Sequence, residues 1–110
     1  HMFSAVSTAR ANAFVQAWRT RAWLTPETYP AAPASVSEMY ETHAAVAAHP
    51  LIASEFGGVG GYKLGAIGAV GEACIYAPLF KRFIVPAPGD GLSSAAYQLF
   101  QIEPEIGITL

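Results

Sequence analysis

Gly57-Gly58-Val59-Gly60-Gly61-Tyr62-Lys63-Leu64-Gly65 divides the chain into two textures. Before it, apolar residues recur at helical spacing. After it, Gly68, Gly71, Pro78, Pro86, Pro88, Gly89 and Gly91 cut the sequence into strand-sized pieces. Helices first and strands afterwards indicate an α+β fold, with two N-terminal helices followed by short mixed or antiparallel strands. The glycine cluster does not match a nucleotide loop. It lacks G-x-G-x-x-G, and Lys63 follows Tyr62 where a P-loop lysine would follow glycine. Its glycines suit close backbone packing or a bulge beside a site.

Upstream, residues from about Ser4 to Ala22 read as a helix. Val6, Ala13, Phe14, Ala17 and Trp18 fit one face, with Arg10 and Arg21 off it. Phe14 and Trp18 stand one helical turn apart and are expected to touch. Pro26, Pro30 and Pro33 stiffen a connector. Ser35-Val36-Ser37-Glu38 has capping-box spacing and opens a second helix, with Met39, Tyr40, His43, Ala44 and Ala47 facing inward and Pro50 marking its end. His43 reads as a hydrogen-bonded histidine against the core, and His49 as a partner of the helix C-terminus. Downstream, Phe83-Ile84-Val85 and Tyr97-Gln98-Leu99-Phe100 are candidate strands, and Pro88-Gly89-Asp90-Gly91 is a turn. Residues 1–110 form one domain or a fragment of one, helical over 3–50 and β-rich over 56–110.

With 53% hydrophobic and 13% charged residues among 110, the chain is not disordered, and an apolar surface covered by a second copy is expected. The net charge of -2 and the absence of a basic stripe disfavour nucleic acid. No apolar run has the length of a membrane span. The single Cys74 points to a reducing compartment, the cytoplasm, and reads as a small buried residue. Phe3 to Thr25 contains no acid but includes Arg10, Arg19 and Arg21. That pattern would also suit a mitochondrial leader, but a helix belonging to the fold is the preferred reading.

Chemistry concentrates near Ile102-Glu103-Pro104-Glu105-Ile106. In a strand, Glu103 and Glu105 share a face, opposite an apolar row of Ile102, Pro104, Ile106, Ile108 and Leu110. Two adjacent carboxylates repel unless a proton or a cation intervenes, and hard oxygen donors suit Mg²⁺ or Mn²⁺. The alternative is an exposed edge strand whose acids are simply solvated. Lys63 is either a surface lysine with its stem along the sheet or a counter-charge for an anionic substrate.

Three blocks in order resemble the 2-keto-4-pentenoate hydratase and 4-oxalocrotonate decarboxylase family, which shares its fold with the fumarylacetoacetate hydrolase superfamily. Gly60-Gly61-Tyr62-Lys63-Leu64-Gly65 resembles its G-x-K-x-G strand. Ile75-Tyr76-Ala77-Pro78-Leu79-Phe80 resembles its I-Y-G-P-L-F block, and Ile102 to Ile106 its metal-binding E-x-E strand. The resemblance implies Glu103 and Glu105 as two of three carboxylate ligands to Mg²⁺ or Mn²⁺. It implies Lys63 as a catalytic residue beside a small 2-oxo acid, with the ion as Lewis acid for an enolate-like intermediate. Ala77 replaces the family's glycine, and Ile75 stands where some members carry an aspartate. The third carboxylate of the family lies well beyond the E-x-E strand, so the chain is expected to be an N-terminal portion or shortened relative. The functional expectation is a metal-dependent hydratase or decarboxylase type, incomplete over these residues. The alternative is a non-catalytic interaction or oligomerisation protein on the same fold, and a homo-oligomer is expected in either case.

Overall fold

The computed structural model describes residues 2–67, 73–85, 89, 91–97 and 101–110. Three helices, α1 (Ala5–Thr20), α2 (Val36–Ala47) and α3 (Pro50–Phe56), precede an antiparallel pair, β1 (Val59–Ile67) and β2 (Ala73–Phe80). Short 3₁₀ turns follow at Lys81–Phe83 and Ser94–Ala96. The α+β order expected from the sequence is therefore present.

Both long helices start on serine. The Ser4 hydroxyl accepts from the Ser7 amide at 3.2 Å, and the Ser35 hydroxyl accepts from the Glu38 amide at 3.1 Å. The expected capping box closes differently. The Glu38 carboxylate accepts from the Ala34 amide at 3.1 Å and meets Arg10 at 3.4 Å. α1 ends where Arg21 turns left-handed (φ 54°) and donates its amide back to Ala17.

α3 was not foreseen, because Pro50 reads as a stop. Proline instead occupies the first turn, where its missing N–H costs nothing. His49 is consequently not a C-terminal dipole partner. Its Nδ1 accepts from the Leu51 amide at 3.2 Å, which leaves the proton on Nε2 for Asn12 Oδ1 at 3.0 Å. α3 closes on Gly57 (φ 78°), a conformation open to glycine at little cost.

The helix faces also differ from expectation. Ser7, Arg10, Ala11 and Val15 are the buried residues of α1, whereas Val6 is exposed. Arg10, expected outside, is 2% exposed. Its Nε donates to the Ala31 carbonyl at 2.7 Å, and its other nitrogens reach Thr42 Oγ1 and Glu38, each at 3.4 Å. A buried guanidinium with acceptors on three sides is tolerated where a bare charge is not. On α2 the buried residues are Thr42, Ala45 and Val46, and Ala44 is exposed. That face points toward α1, so Met39, Tyr40 and His43 lie at its margin. His43 packs edge-on against Tyr40 (5.9 Å), and its buried Nδ1 has no hydrogen bond, contrary to the expected bonded histidine.

The core gathers Ala11, Val15, Ala45, Val46, Ile52, Phe56 and Phe80, with Phe14 and Trp18 against it. Those two rings stack at 5.8 Å, as their spacing predicts. The docking of α1 into this core makes it part of the fold. Phe80 anchors the hairpin's base. Burial then falls off toward the far end of β2, so Cys74 is exposed rather than buried. Two strands alone are marginal in water. Here Tyr76 stacks on Tyr40 of α2 at 4.8 Å and holds the pair to the helices.

Gly60 sits at the irregularity between Val59 and Gly61, where a Cβ would fall 2.8 Å from Lys81 Cγ and 3.3 Å from Lys81 Cα. The expected close packing of glycine is thus realised there. Phe83-Ile84-Val85 is not a strand: Lys81–Phe83 is a 3₁₀ turn whose carbonyl at Lys81 takes the Ile84 amide at 3.1 Å. Residues 98–100 of the second candidate strand, and Pro88 and Asp90 of the expected turn, lie outside the described residues.

Candidate functional site

Lys63 lies mid-way along β1, directly across the ladder from Ala77. Neighbouring pairs are Tyr62 with Pro78 and Leu64 with Tyr76, so the G-x-K-x-G-like and I-Y-A-P-L-F-like blocks are hydrogen-bonded partners. Side chains alternate across a sheet. Tyr62, Leu64 and Tyr76 therefore project to one face, where Tyr62 meets Tyr76 at 5.9 Å and Tyr76 meets Tyr40. Lys63 projects to the other, beside the small Ala77. The aromatic stack behind the strand fixes the register that aims the lysine.

Glu103 and Glu105 come to the same lysine from forty residues further along. Lys63 Nζ donates to Glu105 Oε1 at 2.6 Å and to Glu103 Oε2 at 3.3 Å. Both expected glutamates thus contact the expected lysine. The expected strand around the glutamates is absent: residues 101–110 carry no ladder or helix. The glutamates still converge on Lys63 without a ladder to hold them.

The group is open to water, with side-chain exposures of 47% for Lys63, 71% for Glu103 and 51% for Glu105. Hydrogen bonding to Glu105, then to Glu103, raises the lysine pKa above its ordinary value. Lys63 is therefore an ammonium at neutral pH. Exposed pairs of this kind are screened and stabilise a fold little. Two carboxylates and one ammonium leave one negative charge.

Both carboxylates already have a counter-charge in the Lys63 ammonium, which a metal ion would have to displace. Mg²⁺ characteristically takes one or two carboxylates and keeps water in its other positions. Among the described residues there is no cluster of three or more His, Cys, Asp or Glu. By donor type alone, two carboxylates would suit no more than a weakly held, largely hydrated ion.

Sequence reasoning missed Tyr40 and Tyr76 as supports of the lysine strand. Their only signal is an aromatic at a helix margin and another within a strand. Among the described residues no helix is long and apolar enough to cross a membrane. No family model, curated protein or solved structure matches the chain.

Proposed function

We propose that Lys63, Glu103 and Glu105 form the core of a site for a small 2-oxo acid, of the hydratase and decarboxylase type that the sequence resembles. The observation that carries this reading is the meeting of two separated blocks, the Lys63 strand and the Glu103-Pro104-Glu105 segment, on one ammonium at 2.6 and 3.3 Å. Glu103 and Glu105 would hold Mg²⁺ or Mn²⁺. The ion would supply Lewis-acid polarisation of the 2-oxo group. Lys63 balances the substrate carboxylate and holds a proton at Nζ for transfer to or from the substrate. Ala77 leaves room above the strand at that point. With two protein carboxylates, metal binding is weak and turnover by these residues alone is not expected. The exposed thiol of Cys74 suits a reducing compartment, and we assign the protein to the cytoplasm.

Mn²⁺ titration, read by calorimetry or water-proton relaxation, tests the reading. Binding is expected for the wild type, tightening as pH rises because proton and metal compete. Glu105→Gln should lose it, and Glu41→Gln on α2 should retain it. Equal binding by wild type and Glu105→Gln would reduce the pair to solvated acids.

A second reading, a self-associating protein without catalysis, is favoured by a different observation. Ile102, Ile106, Ile108 and Leu110 are all exposed, Ile106 at 97%. Exposed aliphatic side chains in this number suit a second copy. Sedimentation showing only monomer at high micromolar concentration would remove that reading.

A further inference from the structure

The side of the hairpin that carries Lys63 is bare around the lysine. Directly opposed residues share a face, so Lys63 shares its side with Ala77, Gly61 with Leu79, and Gly65 with Ile75. Gly61 and Gly65, two positions before and after the lysine, add no side chain there, and Ala77 adds only a methyl group. The result is a shallow strip with an ammonium at its centre and Leu79 and Ile75 toward its ends. Such a strip seats an extended segment without a clash, and the lysine favours an acidic one. Glu103-Pro104-Glu105 meets both conditions, since both of its acids reach the one ammonium, at 3.3 and 2.6 Å.

Within one chain this seating has little to hold it. Every residue of 101–110 is exposed, and the segment forms no ladder. Among the described residues, its hydrogen bonds are those to Lys63. Two exposed ion pairs contribute too little to offset the conformational entropy of an ordered segment of this length. Further support has to come from outside the chain, and the exposed side chains of Ile102, Ile106 and Ile108 require it to be apolar. A second copy offers the same strip, the same lysine and the same aliphatic residues. Exchanging the segments between two copies keeps every Lys63 ion pair, so the exchange has no electrostatic cost. It also sets the aliphatic side chains of both segments between the copies, where a single chain leaves them in water.

We infer that the Lys63 site is shared between two copies of this chain: Glu103 and Glu105 of each copy close on Lys63 of the other. Each site then takes its ammonium from one copy and its carboxylates from the second. The inference rests on the self-association reading above and adds to it the segment that is exchanged and the residues that meet.

Isotope mixing separates a contact within one chain from a contact between two. Equal amounts of the full chain, unlabelled and ¹⁵N-labelled, are unfolded together, refolded at high micromolar concentration and coupled with a carbodiimide, which joins an ammonium to a carboxylate in contact. In the coupled Lys63–Glu103 and Lys63–Glu105 peptides, about half should pair a light member with a heavy one. Charge reversal supplies an independent test. Lys63→Glu alone and the double variant Glu103→Lys/Glu105→Lys alone each set like charges together, whether the segment closes on its own chain or on another. Mixed, the two variants regain both contacts, but only between copies. By sedimentation the mixture should associate at least about tenfold more tightly than either variant by itself. All the substituted side chains are exposed, and far-UV circular dichroism checks that each variant is folded. Coupled peptides that are all isotopically pure would overturn the inference, as would a mixture that associates no better than its components. A dimer with isotopically pure peptides would keep the self-association reading and overturn the exchange, whereas monomer throughout would remove both.

Discussion

Replacing Arg10 should damage this protein more than replacing any other charged residue. The side chain is 2% exposed, and its stem passes between α1 and α2. One hydrogen bond is short, 2.7 Å to the Ala31 carbonyl, and two are long, 3.4 Å to Thr42 and Glu38. A hydrogen bond from a charged donor contributes about 1.5–3 kcal/mol at good geometry, and much less when stretched. Glu38 is 42% exposed and can regain water, and Thr42 still donates to the Glu38 carbonyl at 2.9 Å. Removing only the guanidinium, in Arg10→Met, is therefore expected to cost about 1.5 kcal/mol, mostly from the Ala31 bond. Arg10→Ala also removes the packed stem and leaves a void, for a total of about 3 kcal/mol. Against a typical stability of about 5–15 kcal/mol, the alanine variant should melt on the order of 10 °C lower. Urea unfolding followed by circular dichroism and tryptophan fluorescence measures both. If Arg10→Met is as stable as the wild type, the polar network is not stabilising and the reasoning fails. If the two variants are equal, the stem contributes nothing.

Other perturbations have equally definite outcomes. Phe56→Ala empties the centre of the core, where the ring is fully buried, and should cost about 3–5 kcal/mol by urea unfolding; a loss below about 1 kcal/mol would mean that the core is not where it is drawn. Gly60→Ala forces Lys81 away from a Cβ contact of 2.8 Å and should cost about 1–2 kcal/mol, with the largest amide shifts at Lys81 and Ile84. Glu41 accepts the Ser4 amide at 2.6 Å, which holds its folded-state pKa below the ordinary carboxylate range. Its contribution is complete above that range and disappears as pH falls through the lowered value. The acid limb of the wild-type stability profile should flatten in Glu41→Gln, and identical profiles would refute the cap. Lys63 behaves oppositely: its raised pKa means stability present at neutral pH and lost only as alkaline titration proceeds, a slope that Lys63→Met should remove.

Local signals were legible and non-local ones were not. Ser4 and Ser35 announced their helices because a cap is a contact over three residues. Phe14 and Trp18 announced their stacking for the same reason. Arg10 was misplaced because a charge is assigned to solvent by default, and only Ala31, Thr42 and Glu38, from other segments, make its burial tolerable. Pro50 carries two meanings, stop and first turn, and His49 decides between them only once Asn12 is beside it. The β-branched run at Ile84 lost to the turn that Lys81 makes under Gly60. At the site, Lys63 and the glutamates were singled out by their resemblance to a family pattern; spacing alone left the solvated reading open. Nothing in the sequence joined Trp18 to Phe83, since that contact exists only after α1 and the Lys81–Phe83 turn meet.

The polar links between the first two helices couple their opening. The amide of Ser4, the cap residue of α1, donates to Glu41 of α2, and Glu38 in the first turn of α2 meets the guanidinium of Arg10 in α1. Unfolding either helix therefore breaks a hydrogen bond that the other one makes. In native-state hydrogen exchange, the amides of these two helices should report a single opening event with one free energy, close to that of global unfolding. The hairpin, fastened mainly by Phe80 at its base and by Tyr76 against Tyr40, should open first and separately. The strand that carries Lys63 then belongs to the more labile unit, so denaturant at low concentration should release Lys63 from its carboxylates while the helical pair is still intact.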